Sequence, residues 1–544
     1  MRESEERSDL ARSLGKLDLY SIGIGASIGA GIFVLTGVCA RNIAGPGVVL
    51  SFLFSGVSIV FSALCYAELA ARVPISGSAY SYAVVTLGEL PALIIGWNLT
   101  LEYTISAAAV SRGFAAYFVS FLHAVGADVP TWMYDLEIYR GGGLHIDFSP
   151  LALLTGLAIG AIAIFGGKTS STVNVVICVL TVLIVLFCII AGFSFADARN
   201  WDTFAPFGAA GVFKGAAVVF FAYVGFDAVA CSAEEAKNPK VDVPFGMLAA
   251  LGTVMVLYCL VAASLTLMVN YTAIDVDAPL SQAFAQHGAD WAQIVVAVGS
   301  LAALFTTVLT SYIAQSRIFF AMARDGLLPA RLATVVGARK VPIVAVTFVV
   351  LFSSVVGAFV DLESLSEMVS IGTLIALSFV CASVLLLRYD AGTGGKKPFW
   401  LITAILLASS VASACVRFEQ PEAGGAMYAV AALCVLPFFW LPKSSQSLPF
   451  KTPLVPIVPA VGLGLNVFLM ASLSDQTWYR LFVWSAIGAA VYFGYSIRHS
   501  KLGFVPLPSE FDETSLRGNL DVALDDADKD VHVALETEDD EKQK

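Results

Sequence analysis

The chain has 544 residues, of which 58% are hydrophobic and only 13% are charged, and its mean hydropathy is +0.81. Soluble domains carry about 25% charged residues, so the composition excludes a soluble globular protein and predicts an integral protein of the lipid bilayer. The net charge of −11 comes largely from acidic residues beyond position 520, and no basic region suits a nucleic-acid partner.

The apolar segments predict the number of membrane-spanning helices. Runs of about 20 apolar residues are long enough to cross a bilayer, and the sequence holds fourteen. They begin near residues 17, 47, 90, 150, 171, 212, 243, 289, 342, 366, 398, 426, 453 and 480, with the weakest at 150 and 426. An even number places both termini on one side. We assign that side to the cytoplasm because its loops hold about 19 lysines and arginines, against about five opposite.

The first span contains an unusual glycine pattern. Residues 21–33 read Ser-Ile-Gly-Ile-Gly-Ala-Ser-Ile-Gly-Ala-Gly-Ile-Phe, with glycines at 23, 25, 29 and 31. Each glycine inside a helix costs about 1 kcal/mol relative to alanine, so the run favours an interrupted helix at mid-membrane. Interrupted backbone is tolerated there only where protein shields it or a polar cavity receives it. The alternative is close helix packing, since Gly25 and Gly29 form a small-x-x-x-small motif.

Two features lie before and within the third span. Residues 42–47 predict a tight turn into the second span, and residues 76–82 predict a short helix on the cytoplasmic face. The third span carries Glu102, and ionisable groups at that depth usually face a bundle interior or water. Glu102 is therefore a candidate for lining a cavity. The alternative is a structural pair with Arg112, although ten residues separate the two by about 15 Å along one helix.

The sixth span repeats the pattern of an interruptible helix. Residues 220–227 read Phe-Phe-Ala-Tyr-Val-Gly-Phe-Asp, and Gly225 and Asp227 suit a break because an aspartate can bond to nearby backbone groups. The two glycine-bearing spans are five apart, and an odd offset inverts the second copy relative to the first. We therefore predict inverted repeats over residues 17–194 and 212–388, which together form a ten-helix core.

The remaining segments complete the predicted organisation. Residues 1–16 form a cytoplasmic N-terminal segment, residues 398–498 hold four further spans, and residues 499–544 form an acidic, disordered cytoplasmic tail. Two interrupted helices that meet at the midplane suit an α-amino acid. The N–H groups of one half-helix bind the carboxylate, and freed carbonyl groups accept hydrogen bonds from the ammonium.

Several motifs resemble one family closely. Residues 23–37 resemble the first helix of the amino acid–polyamine–organocation (APC) superfamily. Residues 220–239, 321–329, 449–456 and 492–500 resemble its cationic amino acid transporter family, and the last two stretches are specific to that family. The resemblance covers about residues 12–505. It implies an all-α polytopic membrane protein with a LeuT-like 5+5 inverted-repeat core of ten helices, plus four extra transmembrane helices.

The resemblance also implies a substrate site. Members of the family bind the substrate carboxylate on backbone N–H groups and its ammonium on carbonyl groups, and they shape the side-chain pocket from the eighth span. Carried over by motif, the implied residues are Ile28, Gly29, Ala30 and Gly31 for the carboxylate; Phe221, Ala222 and Val224 for the ammonium; Phe226 as a lid; Ser311 with Glu102 for a cationic side chain; and Asp227 as a group that can titrate. The alternative for Ser311 is plain helix packing.

One position departs from the family. Proton-coupled bacterial relatives carry a lysine on the fifth helix where this chain has Thr181, so coupling through a titrating lysine is in doubt. Uniport of a cationic substrate stays open, because the membrane potential contributes about 2.3 kcal/mol per charge per 100 mV. Proton symport through Glu102 or Asp227 also stays open.

The sequence thus predicts a transporter for arginine, lysine and ornithine that works by alternating access, as a uniporter or a proton symporter. Transport of neutral amino acids or polyamines is the alternative, as is an amino acid sensor without net transport. No enzyme, metal site or cofactor is predicted, because the five histidines and nine cysteines form no catalytic or metal-ligand pattern. We expect the plasma membrane, with the vacuolar or another organelle membrane as the alternative.

Overall fold

The computed structural model describes residues 14–72, 78–141, 144–164, 171–233, 236–334, 342–389, 396–418, 420–443 and 450–501. Helices account for most of this part of the chain. They are α1 (Lys16–Ser27), α2 (Thr36–Cys39), α3 (Val48–Arg72), α4 (Ser78–Leu87), α5 (Glu89–Ala124), α6 (Pro150–Ile164), α7 (Ser171–Ser194), α8 (Gly208–Val219), α9 (Ala228–Cys231), α10 (Pro239–Met268), α11 (Pro279–Gln286), α12 (Asp290–Arg324), α13 (Ile343–Phe359), α14 (Leu362–Tyr389), α15 (Lys396–Arg417), α16 (Pro421–Leu433), α17 (Ile457–Ala471), α18 (Asp475–Val491) and α19 (Ile497–His499).

Shorter helical turns of two kinds join or interrupt these helices. The π-helical turns are Gly31–Leu35, Ala40–Ala44 and Tyr492–Ser496. The 3₁₀ turns are Gly45–Gly47, Thr131–Met133, Ala198–Trp201, Phe220–Tyr223, Tyr271–Ala273, Ala330–Ala333 and Leu436–Trp440. Two of these turns, Gly31–Leu35 and Phe220–Tyr223, lie where the sequence predicts interrupted spans.

One β-hairpin lies in the loop between α5 and α6. Its antiparallel strands are β1 (Leu136–Gly141) and β2 (Leu144–Phe148), which pair with Leu136 opposite Phe148. The all-α prediction is therefore wrong for this loop. The strands are only six and five residues long, so a search for apolar runs of about 20 residues gives no signal for them.

Ten helical runs among the described residues are long and apolar enough to cross a membrane. They are Gly31–Arg72, Glu89–Ala124, Val176–Ser194, Gly208–Cys231, Pro239–Met268, Asp290–Arg324, Leu362–Tyr389, Lys397–Arg417, Glu422–Trp440 and Asp475–His499. Three shorter apolar helices, α6, α13 and α17, lie at other places where the sequence predicts spans. The chain is therefore a mostly helical, multi-pass membrane protein.

The first of these runs covers two of the predicted spans. Gly31–Arg72 contains 42 residues. At 1.5 Å per residue a straight helix of that length would extend about 63 Å, about twice the hydrocarbon thickness of a bilayer. Gly45 stands within the run at φ +63°, followed by Pro46. A side chain at Gly45 would also collide with Pro206, because a Cβ there would lie 2.4 Å from the proline ring.

The interior of the bundle is organised around α5, which packs along α12 and α14, while α3 packs along α10. Of the candidate spans, α14 is the most thoroughly buried, and α15, α16 and α18 are largely exposed at the periphery. Protein rather than lipid therefore surrounds α5 and α14, and these two helices can carry polar side chains at membrane depth.

Two C-terminal helices, α17 and α18, form hydrogen bonds with this interior. Trp97 of α5 and Trp484 of α18 stack with 4.7 Å between ring centroids, and each indole N–H donates to the other residue's carbonyl oxygen. Asn466 of α17 donates to the hydroxyl of Ser62 on α3, at 3.1 Å. α17 and α18 thus contact this interior through polar bonds as well as through apolar surface.

Both ends of the described chain lie against the core. The N–H of Lys237 donates to the carbonyl of Leu14 at 2.8 Å, and the N–H of Lys501 donates to the carbonyl of Asp325 at 3.0 Å. Residues 499–501, which the sequence analysis assigns to the tail, are therefore placed beside the end of α12. The rest of the predicted tail lies outside the described residues.

The short helix predicted on the cytoplasmic face is present as α4, although residues 76 and 77 lie outside the described part. The hydroxyl of Tyr80 on α4 donates to the carboxylate of Asp325 at 2.6 Å. This bond joins α4 to the end of α12, at the same place that receives Lys501.

Candidate functional site

The first helix is interrupted where its glycines predict. After α1 ends, Ile28 is extended at φ −78° and ψ 96°, and helical geometry resumes at Ala30. The N–H groups of Ile32 and Phe33 both donate to the carbonyl of Gly29, at 3.3 Å each. The N–H groups of Gly29 and Ala30 have no backbone acceptor among the described residues. These two donors are therefore available to another molecule.

The sixth predicted span is interrupted as well. The 3₁₀ turn Phe220–Tyr223 follows α8, Val224 is then extended at φ −62° and ψ 138°, and α9 begins at Ala228. Gly225 stands at φ +115°, a conformation that residues with a Cβ rarely adopt. The carbonyl of Phe221 accepts only the N–H of Val224 among backbone donors, and that of Val224 accepts none among the described residues.

The two interruptions are in direct contact. A Cβ on Gly31 would lie 2.3 Å from the Cα of Ala222, so only glycine allows this approach. The hydroxyl of Tyr258, on α10, lies 2.7 Å from the carbonyl oxygen of Ser27 and 2.9 Å from that of Ala222. One side chain therefore bonds to both interrupted segments and holds them together.

The packing alternative, which named Gly25 and Gly29, holds for Gly29 and also for Gly23, but not for Gly25. A Cβ on Gly23 would lie 2.7 Å from the Cβ of Ala250 on α10, and one on Gly29 would lie 2.9 Å from Thr307 on α12. Gly25 has more room, because its nearest neighbour is the Cβ of Cys178 at 3.8 Å. The glycine pattern thus serves close packing along α1 as well as the interruption beyond it.

A hollow lies between the two interruptions, α5 and α12. Its free volume is about 30 Å³, close to the volume that one water molecule occupies in the liquid, so the hollow is narrow in this conformation. The hollow has no charged residue among those that line it. They are Ala26, Ser27, Gly29, Ala30, Gly31, Tyr103, Ser106, Val110, Phe221, Val224, Gly225, Ala228, Thr307, Thr310 and Ser311.

The predicted site residues fall into two groups. Six of them line the hollow: Gly29, Ala30, Gly31, Phe221, Val224 and Ser311. The other five do not line it: Ile28, Glu102, Ala222, Phe226 and Asp227. Ile28 and Ala222 are next to lining residues in the two interruptions. Phe226, the predicted lid, is buried with its ring edge-on to Tyr66, with 5.8 Å between centroids.

Sequence reasoning missed the lining residues of α5 and two of the three on α12, Thr307 and Thr310. The lining residues of α5 are Tyr103, Ser106 and Val110, which recur at helical spacing on one face. Glu102 is one residue from Tyr103 but about 100° around the helix. On α12, Thr307 is four residues before the predicted Ser311, so helical spacing from Ser311 could have identified it.

Glu102 is buried behind the wall of the hollow, with 1% of its surface exposed. It lies beside Thr373 of α14 and close enough to Asp227 for the two carboxyl groups to interact. Glu102 forms no ion pair with any described residue. Arg112 donates instead to the carbonyl of Val360 at 3.1 Å, so the alternative of a Glu102–Arg112 pair is wrong.

Asp227 lies behind a side chain that does line the hollow. The hydroxyl of Tyr103 donates to the Oδ2 atom of Asp227 at 2.5 Å, and both residues are buried. Asp227 follows the second interruption directly and immediately precedes α9. Asp227 is thus bonded to a residue that lines the hollow without lining it itself.

Thr181 lies on the face of α7 that packs against α1. Cys178, three residues earlier, contacts the position of Gly25, and Thr181 is buried one turn further along the helix. The described residues include no group of three or more histidine, cysteine or acidic side chains that could hold a metal ion.

Comparisons with known proteins agree over nearly the whole chain. A family model described as amino acid permease matches residues 14–461, and one described as the C-terminus of AA_permease matches residues 450–500. Cationic amino acid transporter 1 of Arabidopsis thaliana is 36% identical over 90% of this chain and 83% of its own length. Cationic amino acid transporter 4 of Mus musculus is 35% identical over 92% and 89%. Branched-chain amino acid permease BcaP of Bacillus subtilis is 37% identical over 92% and 96%.

Proposed function

The chain belongs to the amino acid permease family, and from that premise we propose that it carries cationic amino acids across a membrane by alternating access. The relatives are named transporters and permeases, which supports a non-enzymatic role. Two are named for cationic amino acids and one for branched-chain amino acids, so the names alone leave the side-chain preference to be argued from the site.

The contact between the two interruptions carries the proposal. The N–H groups of Gly29 and Ala30 offer donors for a carboxylate, and the carbonyls of Phe221 and Val224 offer acceptors for an ammonium. Both sets of groups border one hollow without a charged side chain in its lining. An α-amino acid zwitterion therefore satisfies backbone groups that would otherwise remain unpaired.

The finer organisation of the fold follows the same reasoning. Division of the run Gly31–Arg72 at Gly45 adds one span to the ten candidates, and the three shorter apolar helices bring the number to fourteen. On this count the interruptions fall in the first and sixth spans. That spacing supports a LeuT-like 5+5 inverted-repeat core followed by four extra spans.

A cationic side chain is favoured by the acids behind the wall of the hollow. Glu102 has no cationic partner among the described residues, and Asp227 lies behind Tyr103. An inside-negative potential would drive a cation inward with about 2.3 kcal/mol per 100 mV. Thr181 cannot titrate as a lysine would. Transport is therefore either uniport, without a coupled ion, or proton symport through an acidic side chain. We propose cytoplasmic termini on the loop charges noted above. We also propose the plasma membrane as the location.

Uptake into proteoliposomes tests the function. The purified protein is reconstituted, and labelled arginine, lysine and leucine are offered at zero potential, at an inside-negative potential and with a proton gradient. We expect arginine and lysine to enter, faster at negative potential. Leucine uptake without arginine uptake would favour a neutral amino acid permease, and arginine binding without uptake would favour a sensor. Either result would overturn the proposal.

A further inference from the structure

The wall of the hollow contains one tyrosine whose hydroxyl is bound to an acid outside the hollow. Tyr103 borders the hollow, and its hydroxyl donates to Oδ2 of Asp227 at 2.5 Å. Tyr103 is 4% exposed and Asp227 is 5% exposed. The carboxylate does not itself line the hollow, so a bound molecule meets the ring first.

This bond changes what the ring offers to a ligand. A phenol that donates a hydrogen bond to a carboxylate is polarised toward its oxygen and its ring, so the ring face becomes more negative. Aromatic faces attract cations within about 6 Å of the ring centroid, and guanidinium and ammonium groups are the side-chain cations that do so.

We propose that Tyr103 determines the preference for cationic substrates by presenting the charge of Asp227 to the substrate side chain through its ring. The inference rests on the proposed function and names the residue that selects the substrate. A cationic side chain then lies against the ring of Tyr103, between α5 and α12, and the carboxylate stays in place behind it. The substrate cation need not displace the tyrosine to be recognised.

Glu102, the neighbouring acid, does not take this role in the same way. It points from a different face of α5, does not border the hollow, and is screened from it by the helix that also carries Tyr103. Its carboxyl group lies close enough to Asp227 for the two acids to interact. Tyr103 is the group that a substrate touches.

The test compares arginine with leucine in Tyr103→Phe, which keeps the ring and removes the hydrogen bond. We expect the apparent affinity for arginine to fall about fivefold, and that for leucine to change less than about twofold. Asp227→Asn, which keeps an acceptor and removes the charge, is expected to give the same selective loss. It also serves as the second variant if Tyr103→Phe does not fold.

A matched control lies on the same helix. Tyr117 of α5 is also buried, and its hydroxyl donates to the carbonyl of Phe33 at 2.6 Å, but it does not line the hollow. Tyr117→Phe therefore removes an equivalent buried hydrogen bond, and we expect its ratio of arginine to leucine affinity to match the wild type. Unfolding temperatures of all variants show whether each protein is folded.

The outcomes separate this inference from the proposed function. A wild type that takes up arginine, together with an unchanged ratio in Tyr103→Phe and Asp227→Asn, would overturn the role of Tyr103 alone. Equal losses for arginine and leucine would also overturn it, because a purely structural bond affects all substrates alike. A wild type that takes up no arginine would overturn the proposed function and this inference together.

Discussion

Two buried acids in this protein have opposite surroundings. Glu68 of α3 is fully buried, and its carboxylate accepts hydrogen bonds from Arg72 at 3.0 Å, from Arg388 at 2.8 and 2.9 Å, and from the N–H of Thr452 at 2.8 Å. Glu102 of α5 is equally buried and forms no ion pair with any described residue.

We infer that the difference separates a structural acid from one that serves the substrate site. A buried charge is tolerated when fixed partners satisfy it, and Glu68 has two arginines and a backbone donor from three different segments. Glu102, behind the hollow, has no such fixed cation among the described residues. In our account the cationic side chain of the substrate, present only while it is carried, lies on the other side of the wall of the hollow, against Tyr103.

The largest expected effect on stability comes from removing the charge of Glu68, the acid with two arginine partners. Glu68→Gln leaves Arg72 and Arg388 buried without a counter-charge, and we expect the free energy of unfolding to fall by about 3–5 kcal/mol. Asp475→Asn is the control, because Asp475 pairs with Arg417 while 81% of its own side chain is exposed. We expect that control to change stability by about 0–1 kcal/mol. Unfolding of the purified proteins measures both, and equal losses would contradict the comparison.

The second prediction leaves Glu68 and Glu102 in place and pushes the two interrupted helix segments apart. Gly31→Ala puts a Cβ 2.3 Å from the Cα of Ala222, where backbone faces backbone and no side chain can move away. Such overpacking costs about 1–3 kcal/mol, so we expect arginine uptake to fall about tenfold or more. Gly25→Ala is the matched control, since its Cβ meets only Cys178 at 3.8 Å. Uptake that survives in Gly31→Ala would show that the contact between the interruptions is not needed.

The third prediction tests the unpartnered acid. Glu102→Gln replaces a buried carboxyl group that has no fixed cation, so we expect stability to stay within about 1 kcal/mol of the wild type, unlike Glu68→Gln. Arginine and lysine uptake should fall about fivefold more than leucine uptake, because the wall loses an acid that can ionise when a substrate cation is near. Competition assays with the three substrates measure this ratio. An equal loss for every substrate would remove Glu102 from the specificity role.

The smallest expected effect concerns Asp325, a buried acid outside the spans whose partners compensate its burial only in part. Burial raises the pKa of Asp325 above its ordinary value of 3.8, and the charge of Arg324 and the hydroxyl of Tyr80 offset this only in part. The folded state therefore holds the proton to a higher pH than the unfolded state. Stability should fall as the pH rises from about 4 through the raised pKa. Unfolding temperatures at several pH values should show a flatter profile in Asp325→Asn, and an unchanged profile would contradict the assignment.

The sequence was informative where a membrane-spanning helix must be interrupted, which is energetically unfavourable. Four glycines within one apolar span, and a glycine with an aspartate in another, were enough to predict where both helices are interrupted. Hydropathy could not predict how α5 is rotated, which is why Glu102 was identified and its neighbour Tyr103 was not. Nor could it predict partners far apart in the chain, such as Glu68 and Arg388, because their contact depends on how α3 and α14 pack.

An arginine-bound structure of the protein in a lipid nanodisc tests the central claim most directly. We predict the substrate carboxylate at about 3 Å from the N–H groups of Gly29 and Ala30, and its α-ammonium at a similar distance from the carbonyls of Phe221 and Val224. Arginine bound outside this hollow, or continuous helices through both segments, would contradict the account.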